Sequence, residues 1–133
     1  MGQHHFRYAL FPHAYGPQLG GVVPEAAAFN QSLPLIPASA APHQRSFFSI
    51  SNATVIIDTV KQAEDSKDII VRLYESHGGH QKARLITSLP LVKATRVNLL
   101  EVADDSGPQL FVDGSLMLRA RPFEIISLRL SLA

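Results

Sequence analysis

A chain of 133 residues, 46% apolar and 17% charged, has the material for one folded domain and buries roughly two thirds of the surface that its unfolded form exposes. The net charge is +1 with Lys and Arg scattered along the sequence, so neither nucleic acid nor a membrane surface is expected as a partner. The absence of cysteine removes disulfides, thiolate metal sites and cysteine nucleophiles together, and no apolar run approaches the roughly 20 residues of a membrane helix.

In chain order, residues 1–13 come first. Phe6, Tyr8 and Leu10 alternate with His5, Arg7 and Ala9 in the period of a half-buried strand that Pro12 stops. A strand so near a terminus needs a neighbour, so it is expected to belong to a larger sheet region. Residues 14–45 form a crossover broken by Gly16, Pro17, Gly20, Gly21, Pro24, Pro34, Pro37 and Pro42. One short helix is predicted there, with Pro24 at its start, Glu25 behind it and Ala26 to Phe29 as its body. Leu33, Leu35 and Ile36 are expected to anchor the next part of the chain.

Residues 46–133 read as short strands at close spacing, placed at 46–51, 54–61, 68–75, 81–88, 94–102, 109–112, 115–120 and 124–132. The polar run 63–67 joins the second and third. Gly78-Gly79, residues 104–108 and Asp113-Gly114 are expected to close three further hairpins, the last by a tight primed turn. The final strand sets Ile126, Leu128, Leu130 and Leu132 against Ser127, Arg129 and Ser131, predicting one buried face and one wet face.

Few residues offer chemistry. Glu64-Asp65 and Asp104-Asp105 are adjacent acids in turns, where the side chains face water, and are rejected as an acid and base pair. Glu75 and Glu101 lie among apolar residues and are read as partly buried, paired with Arg72 or Arg96, the alternative being a functional carboxylate. His77 and His80 have a spacing that zinc accepts, but they flank a glycine turn and default to solvated histidines. There is no phosphate-binding loop and no nucleophile elbow, and Ser49, Ser51 and Ser88 lack a base partner. With no Trp and three Tyr, the aromatic platform of a stand-alone sugar-binding module is missing. No catalytic and no metal-binding residue is nominated in this chain.

One stretch carries more. Val55-Ile56-Ile57, Thr59-Val60-Lys61-Gln62-Ala63-Glu64-Asp65 and then Ile70-Val71-Arg72-Leu73-Tyr74-Glu75-Ser76-His77-Gly78 resemble the C-terminal β-sandwich of family 38 glycoside hydrolases, the α-mannosidases. Gly2, His4, Phe6, Tyr8, Ala9, Leu10, Pro12 and His13 match a second segment of that family, and Pro122-Phe123-Glu124-Ile125 its terminal pattern. The resemblance implies an all-β fold, an antiparallel β-sandwich of about eight to nine short strands with one short helix in the crossover. It implies that Met1 is internal to a longer enzyme that removes terminal α-linked mannose from oligosaccharides with retention of configuration. That enzyme's aspartate nucleophile, its acid and base aspartate and its zinc lie in a catalytic domain with no counterpart motif here. The expected partners are the remainder of that enzyme, its oligosaccharide substrate and further copies of itself, in the cytoplasm or, alternatively, the vacuole or lysosome. His4, Tyr8 and His13 are the residues best placed to face the missing catalytic region, with ordinary core as the alternative. The rival reading is a free-standing β-sandwich that binds carbohydrate or protein.

Overall fold

The computed structural model describes residues 2–31, 36–37 and 44–132. The chain divides into two units, Met1–Ala40 and Ala41–Ala133.

In the first unit, α1 spans Val22–Asn30. Gly21 precedes it in the left-handed region (φ 75°), and Glu25 in the first turn favours the positive end of the helix dipole. Pro24 is tolerated because first-turn N–H groups have no partner within a helix. The Arg7 guanidinium donates to the Phe29 carbonyl at 3.0 Å and lies 5.0 Å above the Phe29 ring. Residues 2–13 form no strand within this chain, and Phe6, Tyr8 and Leu10 are 85%, 84% and 92% exposed. Alternation prepares a segment to pair, but a ladder needs a second strand, and the first unit has none among its described residues. Ile36 is also exposed, while Leu33 and Leu35 lie outside the described residues.

The second unit is the expected antiparallel sandwich. Its strands are β1 Phe48–Ile50, β2 Val55–Gln62, β3 Ile69–Glu75, β4 Gln81–Thr87, β5 Leu91–Val97, β6 Ala103–Leu110, β7 Ser115–Ala120 and β8 Ile125–Leu132. A three-stranded sheet has the order β1-β4-β7 and a five-stranded sheet the order β2-β3-β8-β5-β6, every pair antiparallel. Period-2 alternation turns Val71, Leu73, Ile126, Leu128 and Leu130 of the larger sheet toward Ala83, Leu85, Leu116, Leu118 and Ala120 of the smaller, and these form the core. Among the described residues no helix is long and apolar enough to cross a membrane.

Three turn assignments change. Gly78-Gly79 does not close a hairpin: β3 and β4 lie in different sheets, and the glycine pair carries the chain across the sandwich. Asp113-Gly114 does make the tight primed turn, with φ of 48° and 69° and reciprocal Val112 and Ser115 backbone hydrogen bonds of 2.9 Å, yet it too leads from one sheet to the other. Residues 104–108 are not a turn but the middle of β6. An edge strand accommodates Gly107 and Pro108, because one of its sides makes no ladder. The β5–β6 hairpin turns instead at residues 98–102, where the Asn98 side chain accepts the N–H groups of Leu100 (2.9 Å) and Val102 (3.0 Å). That local Asx geometry overrides the alternation that suggests a strand through 94–102.

The outer face of β8 is drier than expected. Ser127 is 4% exposed and Arg129 half-buried, because the 98–102 turn folds over that face of the larger sheet.

Burial fixes a ranking of substitutions. Leu73 is fully buried at the centre of the core, whereas Val60 on the edge strand is 52% exposed. Leu73→Ala is expected to cost about 3 kcal/mol in urea denaturation and Val60→Ala less than about 1 kcal/mol. Equal costs would mean that the described interior is not the core.

Candidate functional site

Among the described residues two carboxylates are buried, and each closes one part of the sandwich. Glu75, the last residue of β3, is 1% exposed. Its Oε1 accepts the N–H of His77 at 2.9 Å, and its Oε2 accepts those of Gly78 (2.7 Å), Gly79 (3.3 Å) and Phe123 (3.0 Å). The donors come from two loops, the β3–β4 crossing and the turn that leads into β8. Both loops are bent by positive φ, at Gly78 (78°) and Phe123 (56°). A Cβ on Gly78 would approach a Phe123 ring carbon to 2.7 Å, so only glycine lets the ring lie there. Burial by itself would push the Glu75 carboxyl up, but the four N–H groups outweigh it and hold the group below the ordinary carboxylate range.

The same turn is fastened a second time. The Glu124 carboxylate accepts from Arg96 Nη2 at 3.0 Å and from the Arg121 N–H at 2.8 Å, while the Glu75 N–H donates to the Glu124 carbonyl at 3.0 Å. Glu75 and Pro122-Phe123-Glu124-Ile125, drawn from two separate motifs, thus form one joint.

Glu101 lies in the 98–102 turn at φ 66°, not in a strand. Its Oε1 is 2.8 Å from Lys61 Nζ, its Oε2 accepts the Glu64 N–H at 2.9 Å, and Arg129 Nη2 lies at 3.9 Å. Lys61 also pairs with Glu64, and Arg129 with Asp65 at 3.0 Å. The Lys61 contact and the Glu64 N–H lower the Glu101 pKa, and Glu101 and Glu64 in turn raise that of Lys61. Arg72 Nη2 donates to the Leu99 carbonyl at 3.0 Å, fixing the same turn from the other side.

The partners expected for these acids are therefore corrected. Glu75 takes no arginine because backbone N–H groups already surround it. Glu101 takes Lys61 and Arg129, and Arg96 serves Glu124. Glu64 and Asp65 are ion-paired rather than merely solvated, whereas Asp104 is held by the hydroxyl and N–H of Ser106. Sequence reasoning gives Phe123 and Glu124 no role in the joint, although their motif is the signal that marks them.

None of these acids is poised for catalysis: the acceptor positions of Glu75 are filled by N–H donors, and Glu101 is held by a lysine, an arginine and an N–H. Among the described residues no three His, Cys, Asp or Glu side chains converge on a metal position, and His77 and His80 gain no third ligand there. His4 and Tyr8 are exposed, His13 stacks on Phe11 with ring centroids 6.1 Å apart, and no hydrogen bond among the described residues joins the three into a site. A concavity in the second unit, about 960 Å³, is a shallow apolar groove lined by Phe47, Phe48, Ile57, Val60 and Ile69, with Lys61 and Lys67 beside them.

Glu75→Gln keeps the shape but removes the charge and half of the acceptor capacity, and is expected to cost about 3 kcal/mol at neutral pH. Because the folded carboxyl sits below its ordinary value, its contribution is present above about pH 4.5 and is lost as pH falls through the folded pKa. Denaturation curves across that range should therefore fall less steeply with acid for Glu75→Gln than for the parent. Parallel acid limbs would show that the joint does not hold the ionised form.

Residues 54–128, more than half of the chain, match the glycosyl hydrolases family 38 C-terminal beta sandwich domain. Alpha-mannosidase 2C1 of Mus musculus is 41% identical over 99% of this chain, and that of Homo sapiens 42% identical over 98%. An alpha-mannosidase of Saccharomyces cerevisiae is 30% identical over 98%. The chain spans only 13% of the length of the mouse and human proteins and 14% of the yeast one. The matched span includes Glu75 and Phe123 of the one joint and Lys61 and Glu101 of the other network, and ends one residue before Arg129. By motif, fold and sequence, the chain belongs to glycoside hydrolase family 38, as its C-terminal β-sandwich.

Proposed function

We propose that this chain is a non-catalytic C-terminal β-sandwich portion of a longer cytoplasmic α-mannosidase, supporting a catalytic region that removes terminal α-linked mannose from oligosaccharides. The observation that carries the reading is that both buried carboxylates are spent on fastening loops, so the charged chemistry of the sandwich is mechanical. The nucleophile, the acid and base residue and the zinc belong in this reading to polypeptide outside these residues, consistent with the small fraction of each relative that the chain spans.

The exposed apolar surface has a use in such an assembly. Residues 2–13 present Phe6, Tyr8 and Leu10 to a sheet of the remainder, with His4, Tyr8 and His13 facing the catalytic region. Phe47 and Val60 line the groove that the remainder covers, or that a second copy covers in a homo-oligomer. Burying such surface is favourable at about 25 cal/mol per Å².

The test is hydrolysis of a chromogenic α-mannoside by this chain, by a longer polypeptide extended upstream, and by that polypeptide lacking these residues. Activity is expected only in the complete form. Turnover by this chain alone would overturn the reading, and full activity of the truncated form would remove the supporting role.

A further inference from the structure

The outer face of the smaller sheet is cationic. On β4 the outward side chains are Lys82, Arg84 and Ile86, and on β7 they are Ser115, Met117 and Arg119. Lys82 stands directly opposite Arg119 in the ladder. Like charges so placed in an antiparallel pair repel. Among the described residues none of Lys82, Arg84 and Arg119 forms an ion pair. At one end of this face a cleft of about 430 Å³ sets Lys82, Arg96, Arg119 and Arg121 around a single carboxylate, Glu124, which Arg96 and the Arg121 N–H already engage.

The same face ends in an open edge. β7 closes the order β1-β4-β7, and its register against β4 is unbroken over six residues. The edges of the larger sheet are blunted, β2 by a register shift between Ile57 and Thr59 and β6 by Gly107 and Pro108. On β7 the Ser115 N–H and C=O are taken by Val112, and the edge beyond it, from Leu116 to Ala120, has no such device. Beside it Met117 and Ile86 are exposed between the cations, and Met and Arg are residues that protein interfaces favour.

We infer that the outer face of the smaller sheet, with the free edge of β7, receives an acidic extended segment from the remainder of the longer polypeptide. Its carboxylates answer Lys82, Arg84 and Arg119, and its backbone adds a strand to β7. This rests on the reading that the chain is one part of such a polypeptide. Strand addition satisfies the unpaired N–H and C=O groups, and the charges fix which strand is accepted. A second copy is a poor donor: its exposed edge-strand acids are Asp58 on β2, at the register shift between Ile57 and Thr59, and Asp104 and Asp105 on β6, where Pro108 lacks an N–H and Gly107 has φ 73°.

Zero-length carbodiimide coupling of the intact longer enzyme at high dilution, read by peptide mass spectrometry, tests this. The expected product is an amide between Lys82 Nζ and an Asp or Glu of the same polypeptide outside residues 1–133. Native acetylation of Lys82 with acetic anhydride should be at least tenfold slower than in the unfolded enzyme. Lys82 that acetylates as fast as in the unfolded enzyme, coupling only between copies, or protection without a coupled carboxylate each overturns the proposal. Protection that arises only on adding anionic vesicles or RNA does so too. Lys82 found open while removal of this chain still abolishes mannosidase activity would sink the docking face alone and leave the supporting role standing.

Discussion

The second unit depends on one buried charge. A sandwich whose chain crosses between sheets must hold its crossings with loops, and loops bury backbone groups that need partners. Glu75 supplies them for two crossings at once: its carboxylate lies where the chain leaves the larger sheet after β3 and where it returns before β8. A neutral side chain could satisfy one or two of those N–H groups. Four converging donors call for an ionised acceptor, and charge-assisted bonds are roughly twice as strong as neutral ones. The positive φ of Phe123 is strain that this convergence holds in place, whereas Gly78 takes the same region without it.

Glu101 does comparable work by different means. It folds the 98–102 turn back over the outer face of the larger sheet, and the cover keeps Ile70, Val97 and Ser127 from water. Its partners are side chains at the surface, Lys61 and Arg129, so salt screens this network more than it screens the Glu75 joint. One turn thus gives the five-stranded sheet a partial second layer.

The fold was legible because period-2 alternation and turn residues are local signals, and β2, β3, β4, β7 and β8 follow them. Sheet membership was not local. Gly78-Gly79 and Asp113-Gly114 have the composition of hairpin turns, and nothing in a turn tells whether the next strand pairs back or crosses to the opposite sheet. Residues 104–108 misled for the opposite reason, since an edge strand tolerates residues that a central strand excludes. Of the site, the motifs pointed to the right residues but not to their partners. Glu75 reads as an acid in search of an arginine because backbone N–H donors leave no mark on composition, and the fourth of them, at Phe123, comes from a loop more than forty positions away. Residues 2–13 show the converse: a strand pattern without a strand, since pairing depends on what lies alongside.

Charge distribution connects these observations. Acids of the second unit are spent near the larger sheet and its loops, at Glu64, Asp65, Glu75 and Glu101, whereas on the outer face of the smaller sheet the charged side chains of β4 and β7 are Lys82, Arg84 and Arg119, with Asp113 and Glu124 only at its margins. A net charge near zero therefore conceals a polar molecule, basic on one side and internally compensated on the other. An isolated domain gains nothing from Lys82 opposite Arg119, and a three-stranded sheet with an unguarded edge gains nothing from standing alone. Both become favourable if another segment supplies carboxylates and a strand together. The feature that costs stability within this unit is thus the one through which it is specified as part of a larger protein.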